Sequence, residues 1–379
     1  MRRLVALDLP SGPDFVTALR RCFDDGDAAL PLDPRLPAAA RRRLLEALAP
    51  ACVRAPDGET ALAGARPIED GDALVMPTSG TTGAPKGVVL THAAIAASAE
   101  ATNERLGVDP DRDGWLCCLP LAHVGGLSVI LRALHAGTRL EVSARFTPQA
   151  ALAAARRGAT LVSLVPTMLG RLGADAAAFR TIVLGGSAPP EGLADNVVTT
   201  YGLTETGSGV VYDGWPLSGV TVRIADGEVL LRAPMLLRAY RDGTDPRDAA
   251  GFLRTGDAGA LSASGRLVVH GRLGEMIVTG GENVWPVAVE SLLAGVPGVA
   301  EVAVAGLPDP EWGERVVAYV VAQQPTAPPS LDALRARVRE ELGAWAAPKQ
   351  LVLLDALPRT ALGKVRRREL AALGAGGAS

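Results

Sequence analysis

Between Ala73 and Thr200, short apolar runs alternate with stretches of helical period. The runs Ala73-Leu74-Val75-Met76, Thr160-Leu161-Val162-Ser163-Leu164-Val165, Thr181-Ile182-Val183-Leu184 and Asn196-Val197-Val198-Thr199-Thr200 read as strands. Between them lie helical stretches such as the one opening at Pro148 and stopped by Gly158. This alternation predicts α/β layers. Residues 1–70 read as helix and loop, with the stretch from Pro37 to Leu48 as the clearest helix and Arg41 to Arg43 as its solvated face. Beyond Val220 the period changes. Two hairpins are predicted, turning at Asp226-Gly227 and at Ser264-Gly265, and they suggest a small antiparallel region. After Arg272 it changes again: a helix from Pro286, strand-like runs near 302–305 and 316–321, a linker with three prolines over 323–330, then a helix over 331–342. The resulting division is a large domain over residues 1–272 and a small α+β domain over 273–379.

Composition narrows the class more than the chemistry. With 379 residues there is room for two domains and a sizeable core. Hydrophobic content of 48% and charged content of 21% suit a soluble globular protein. A net charge of −3 gives no reason to expect nucleic acid or an anionic membrane as partner. The four cysteines show neither metal-ligand spacing nor a disulfide framework, as expected in a reducing cytoplasm. The opening residues do not read as a secretory signal, and no run reaches the ~20 apolar residues of a membrane span.

The densest chemical signal is Thr78-Ser79-Gly80-Thr81-Thr82-Gly83-Ala84-Pro85-Lys86-Gly87, which leaves the strand at Ala73–Met76. A loop of small residues exposes backbone N–H groups that cradle an anion. Its hydroxyls add donors and Lys86 adds a charge, so the loop suits a polyphosphate. It is not a Walker loop, because Gly87 follows Lys86 where Ser or Thr would stand.

This loop resembles the phosphate loop of the adenylate-forming superfamily, which includes acyl- and aryl-CoA synthetases. Later segments match the same superfamily in its usual order, from residue 78 to residue 368. The resemblance implies ATP and Mg²⁺ as ligands and coenzyme A as co-substrate. It implies that Gly185, Gly186 and Ser187 line the adenine. Within Tyr201-Gly202-Leu203-Thr204-Glu205-Thr206 it assigns Tyr201 and Gly202 to the adenine, Thr204 to the α-phosphate and Glu205 to Mg²⁺, which needs only one or two protein carboxylates beside phosphate and water. Asp257 is assigned to the ribose hydroxyls and Arg272 to the ribose and phosphate. His123, Gly125 and Gly126 border the acyl pocket. The resemblance makes Lys364 the catalytic lysine of the small domain, expected to stabilise negative charge as a carboxylate attacks the α-phosphorus. Gly280, Gly281 and Glu282 face the thiol in a second half-reaction, reached by rotation of the small domain. Arg366 to Arg368 read as surface residues, with an arginine near the 3′-phosphate of CoA as the alternative.

Two departures stand out. The hinge position that is usually Asp or Lys in the superfamily is Gly274, and the phosphate loop starts early, which implies a shortened large domain. Part of the wall of the acyl pocket is then expected to be thin or to be supplied by a second copy of the chain. The segment after Pro120 lacks the Asp that an amino-acid-activating domain uses, so a CoA ligase for a small acid is expected. The run Tyr212-Asp213-Gly214-Trp215-Pro216-Leu217-Ser218-Gly219-Val220 resembles the short-form o-succinylbenzoate–CoA ligases of menaquinone biosynthesis. Their substrate is a small aromatic dicarboxylic acid. Its second carboxylate needs a polar or cationic partner, and Arg132, Ser128 and Ser208 are the unranked candidates. The alternatives are another small aryl- or acyl-CoA synthetase, or a non-catalytic adenylate-binding protein. Intact Lys86, Glu205, Asp257 and Lys364 count against the latter.

Overall fold

A computed structural model describes residues 2–79, 85–359 and 365–375. The chain divides into two compact units. The first holds Met1–Arg223, Leu230–Thr255 and Ala263–Leu267. The second holds Ile224–Val229, Gly256–Ser262 and everything from Val268 onward.

The first unit contains two seven-stranded sheets. One runs in the order Ala239–Tyr240, Pro85–Thr91, Asp72–Ser79, Ala28–Pro31, Leu4–Leu7, Cys52–Ala55, Gly58–Ala61. Its central strands Leu4–Leu7 and Ala28–Pro31 are parallel and buried throughout. Here the structure corrects the expectation of helix and loop for residues 1–70. The helix is found at Ala38–Leu48, but four of the sheet's strands come from this region. Two of them, Leu4–Leu7 and Ala28–Pro31, are four-residue apolar runs buried on both faces, so the sequence carries no period-2 signal for them.

The second sheet runs in the order Trp215–Pro216, Ser208–Tyr212, Val197–Leu203, Thr181–Leu184, Leu161–Leu164, Gly114–Cys117, Arg139–Val142. Its core is parallel, as the α/β reading requires, and two of the helices that lead into its strands carry their own side-chain caps. Thr147 Oγ1 accepts from Ala150 N at 3.1 Å to start Pro148–Arg156. Thr91 Oγ1 likewise accepts from Ala94 N at 3.1 Å to start His92–Leu106, which ends at left-handed Gly107. All four cysteines are buried free thiols.

A four-stranded sheet follows, in the order Thr221–Ala225, Glu228–Arg232, Leu253–Leu261, Leu267–Arg272, and its strands contribute residues to both units. The two expected turns are present: Asp226 and Gly227 both have positive φ, as does Gly265.

The rest of the second unit is built on the long antiparallel pair Val299–Asp309 and Gly313–Ala322. Alternate residues separate into two cores. Val304, Val316, Ala318 and Val320 pack with Val289 and Leu293 of helix Pro286–Ala294 and with Leu334 and Val338 of helix Leu331–Glu341. Ala303, Ala305, Leu307, Val317 and Tyr319 pack with Leu357 and with Leu370 of helix Arg367–Ala375. No helix among the described residues is long and apolar enough to cross a membrane.

Candidate functional site

The phosphate-loop segment is placed by an antiparallel pair. Strand Asp72–Ser79 runs beside Pro85–Thr91, with Thr78 opposite Lys86. Thr78 Oγ1 donates to the Lys86 carbonyl at 3.4 Å. The expected contributors Gly80, Thr81, Thr82 and Gly83 lie outside the described residues, as does Lys364.

The Tyr201–Thr206 segment sits where the second sheet changes direction. Strand Val197–Leu203 is parallel to Thr181–Leu184 and antiparallel to Ser208–Tyr212, with a register shift between Tyr201 and Gly202. A Cβ on Gly202 would run into the Ser208 carbonyl, so the tight return excludes any side chain there. Thr204–Thr206 then form a short 3₁₀ turn. Buried Thr206 locks it: its Oγ1 accepts from Leu203 N at 2.8 Å and lies 2.6 Å from the Ser208 carbonyl. Leu237 N donates to the Glu205 carbonyl at 2.7 Å. The Glu205 carboxylate is thus held on a braced turn. Gly185-Gly186-Ser187 follows the strand Thr181–Leu184, and a Cβ on Gly185 would meet Thr200 Oγ1 at 2.6 Å, so this expected adenine segment packs against the Thr200–Tyr201 strand.

A residue not expected from the sequence joins Lys86 to Glu205. Tyr240 donates its hydroxyl to Glu205 Oε1 at 3.0 Å, and Lys86 Nζ stands 4.9 Å from the centroid of the same ring. Burial, and then the Glu205 carboxylate, push the Tyr240 phenol well above its ordinary pKa, so it remains a donor. Tyr240 lies in a two-residue strand, outside the segments read from the sequence, and too short to show a period. A phosphate-bound Mg²⁺ fits this donor set. Glu205 keeps Oε2 available, and among the described residues no cluster of three or more His, Cys, Asp or Glu forms that would suit a metal held by protein alone.

On the acyl side, His123 precedes helix Val124–Ala136. Its Nε2 lies 3.8 Å from Asp33 Oδ2. Asp33 was not anticipated. Burial alone raises its pKa, but the Arg35 side chain and N–H, at 2.8–2.9 Å, hold the carboxyl below the usual range. A Cβ on Gly126 would strike the Pro120 carbonyl, so this glycine lets the helix start against the Leu119–Pro120 segment. Two turns on, Arg132 is 3% exposed. One guanidinium nitrogen, Nη2, donates to Ser208 Oγ, and the guanidinium lies 5.8 Å over the Trp115 ring. Its Nε has no hydrogen-bond partner, and among the described residues no carboxylate pairs with it. Ser128 and Arg132 line one small cavity with Ser98, Ala94, Leu131 and Gly207. The three residues left unranked by sequence are therefore neighbours, although Ser208 is 76 positions from Arg132.

In the second unit, Asp257 is 6% exposed and pairs with Arg272 Nε at 3.0 Å, so these two expected ribose residues meet. Gly256 N donates to Glu228 Oε1 at 2.8 Å just before it. Gly280 and Gly281 form the tip of a hairpin between Ile277–Thr279 and Glu282–Val284, both at positive φ. A Cβ on Gly280 would meet the Trp312 ring at 2.9 Å. One reading is corrected here. Arg367 is no solvated surface residue: it donates to Glu275 at 2.8 Å, to Glu290 at 2.7 Å and 2.8 Å, and to the Val304 carbonyl at 3.2 Å. The run of three arginines hid this, since charge runs carry no information about which member turns inward.

Residues 63–240 match the AMP-binding enzyme family, and residues 288–364 match the AMP-binding enzyme C-terminal domain. The chain belongs to the AMP-binding enzymes. It is 40% identical over 359 residues to a probable 2-succinylbenzoate–CoA ligase of Mycobacterium tuberculosis, covering 87% of this chain and 93% of that protein. Among solved structures it is similar to o-succinylbenzoate CoA synthetase from Bacillus subtilis in complex with the acyl-adenylate intermediate. That match has a TM-score of 0.87 and 30% identity, covering 98% of this chain and 88% of the other. The same synthetase in complex with ATP and magnesium ion matches with a TM-score of 0.86 and 30% identity, covering 98% and 90%.

Proposed function

We propose that this AMP-binding enzyme is a 2-succinylbenzoate–CoA ligase acting in cytoplasmic menaquinone biosynthesis. The observation that carries the choice of acid is Arg132. Burying a guanidinium with one neutral hydrogen bond costs on the order of several kcal/mol. A carboxylate seated beside Ser128 and Ser208 would supply the missing acceptor. A monocarboxylic acid would leave the cation unpaired once its one carboxylate is consumed, whereas a diacid keeps a second. The relatives named for 2-succinylbenzoate favour the same acid.

The reaction has two steps. One substrate carboxylate attacks the α-phosphorus of ATP, giving acyl-adenylate and pyrophosphate. The thiol sulfur of CoA, deprotonated, then attacks the acyl carbon, and AMP leaves with the electrons of the broken C–O bond. When bound, Mg²⁺ neutralises phosphate charge, and Glu205 is the residue that would hold it. Lys86 and the Thr78–Gly83 segment bind the phosphates, and Thr204 donates to the α-phosphate. Tyr201, Gly202 and Gly185–Ser187 flank the adenine, while Asp257 and Arg272 take the ribose. His123, Gly125 and Gly126 wall the acyl group. Lys364 serves the first step and Gly280–Glu282 the second, with the change of step about the 272/273 boundary. Whether a second copy of the chain completes the acyl pocket belongs to the same proposal, and sedimentation with and without substrate tests it.

The identifying experiment is a mass-spectrometric assay with ATP, Mg²⁺ and CoA, offering 2-succinylbenzoate, benzoate and a medium-chain fatty acid in parallel. Selective formation of 2-succinylbenzoyl-CoA with AMP is expected. Thioester from another acid only would overturn the substrate while retaining the chemistry.

A further inference from the structure

The cation and the anion assigned to MgATP, Lys86 and Glu205, flank one residue yet form no ion pair with each other among the described residues. Between them stands Tyr240, its ring under the Lys86 ammonium and its hydroxyl on the Glu205 carboxylate. The strand that carries it is fixed on both sides. Tyr240 lies opposite Val88 in the pairing with Pro85–Thr91, while Arg238 N donates to Val89 O at 2.9 Å and Arg241 N to Gly87 O at 2.7 Å. The Arg238 guanidinium grips Asp72 at 2.8 Å and 3.0 Å and Glu69 at 2.7 Å. Arg241 is turned the other way, onto the carbonyls of Leu48 and Pro67 at 3.1 Å and 2.7 Å. Two arginines therefore flank Tyr240, and neither reaches Glu205. Residues 237–240 also hold the Glu205 turn, through Leu237 N.

We infer that Tyr240 is a positioning residue that spaces Lys86 from Glu205, so that neither neutralises the other before MgATP arrives. The inference rests on the assignment of Lys86 and Glu205 to MgATP. A direct Lys–Glu pair would satisfy both groups, and ligand binding would have to break it. A neutral ring meets both needs at lower cost. Its electron-rich face supports the ammonium without discharging it. Its hydroxyl occupies one carboxylate oxygen and leaves the other for a hydrated cation. The hydroxyl also fixes the carboxylate direction, which matters for an ion that demands near-octahedral geometry.

The test compares Tyr240→Phe, Tyr240→Leu and Glu205→Gln in the full-length enzyme. Calorimetric titration of ATP over a series of Mg²⁺ concentrations reads binding directly, and the KM for CoA serves as an internal control. Tyr240→Phe keeps the ring and loses a hydrogen bond to a charged group. It should raise the Mg²⁺ concentration at half-maximal ATP affinity by about 10-fold, leaving metal-free ATP binding and the KM for CoA unchanged. Tyr240→Leu should weaken metal-free ATP binding as well, by about threefold, because the face under Lys86 is gone. If Glu205→Gln shifts the Mg²⁺ dependence and Tyr240→Phe does not, the positioning role is overturned. If Phe and Leu behave alike in metal-free binding, the support of Lys86 is overturned. If Glu205→Gln itself leaves the Mg²⁺ dependence unchanged, the metal assignment falls and takes the inference with it. Circular dichroism of each variant separates these results from misfolding.

Discussion

Arg132 in the first unit and Arg367 in the second are both turned inward, and their surroundings are opposite. Arg367 is saturated, with two glutamates and a carbonyl around it at 2.7–3.2 Å. Glu290 also accepts from Val304 N at 2.8 Å, so the network joins a helix start, a second helix and the long strand pair. Arg132 is more deeply buried and has one serine hydroxyl, an aromatic face and an orphaned Nε. A saturated buried arginine is architecture. One left short of acceptors carries a desolvation penalty that a bound acid would relieve, as the proposed function requires.

The sharpest way to break this contrast is to truncate each arginine. Arg132→Ala should lower kcat/KM for 2-succinylbenzoate by about 10²–10³-fold, the loss expected when one partner of a desolvated charge pair is removed. The folded protein without substrate should be no less stable, because an unsatisfied charge has gone. A fall in urea midpoint together with unaltered kinetics would reverse the roles of the two arginines. Arg367→Gln should do the opposite. It should destabilise the second unit by about 1–3 kcal/mol, read as lost hydrogen-exchange protection in helix Arg367–Ala375, because Glu290 and Glu275 lose their cation. Affinity for the acid should not change.

A smaller effect sharpens the same rule from the acid side. Asp113 is a saturated carboxylate, bound by Arg180 at 2.7 Å and 3.0 Å, by Thr160 Oγ1 at 2.6 Å and by Asp109 N at 3.0 Å. Burial alone raises its pKa, but these donors hold it below the ordinary range. Its folded value is depressed, so its contribution is complete above the unfolded pKa of about 4 and is lost as pH falls through the lower folded value. Asp113→Asn should therefore lower the urea midpoint at neutral pH and converge with the parent protein once pH falls through the depressed folded value. Equal spacing of the two curves at all pH values would refute the pairing.

The parts legible in sequence were those where backbone chemistry dictates residue type. Strand ends followed by glycine and hydroxyl residues carry the expected site segments, and the two glycine turns after Val220 marked the hairpins. Other features were silent for physical reasons. Leu4–Leu7 and Ala28–Pro31 are too short and too uniformly buried to show a period. Tyr240 acts through two neighbours that are 154 and 35 positions away, and only the fold brings them together. Arg132 could be proposed from chemistry, but not ranked. What ranks it is the absence of a carboxylate partner among the described residues, a property of the tertiary structure alone.

The most direct test of the substrate assignment is a two-by-two comparison of kcat/KM. Parent enzyme and Arg132→Ala are each assayed with 2-succinylbenzoate and with the mono-acid analogue that keeps the activated carboxylate and lacks the other. The expected result is strong preference for the diacid in the parent enzyme and near-equal use of the two acids by the variant, a coupling of about 10²-fold or more. An unchanged preference in the variant would contradict the role of Arg132, and with it the structural reason for choosing a diacid.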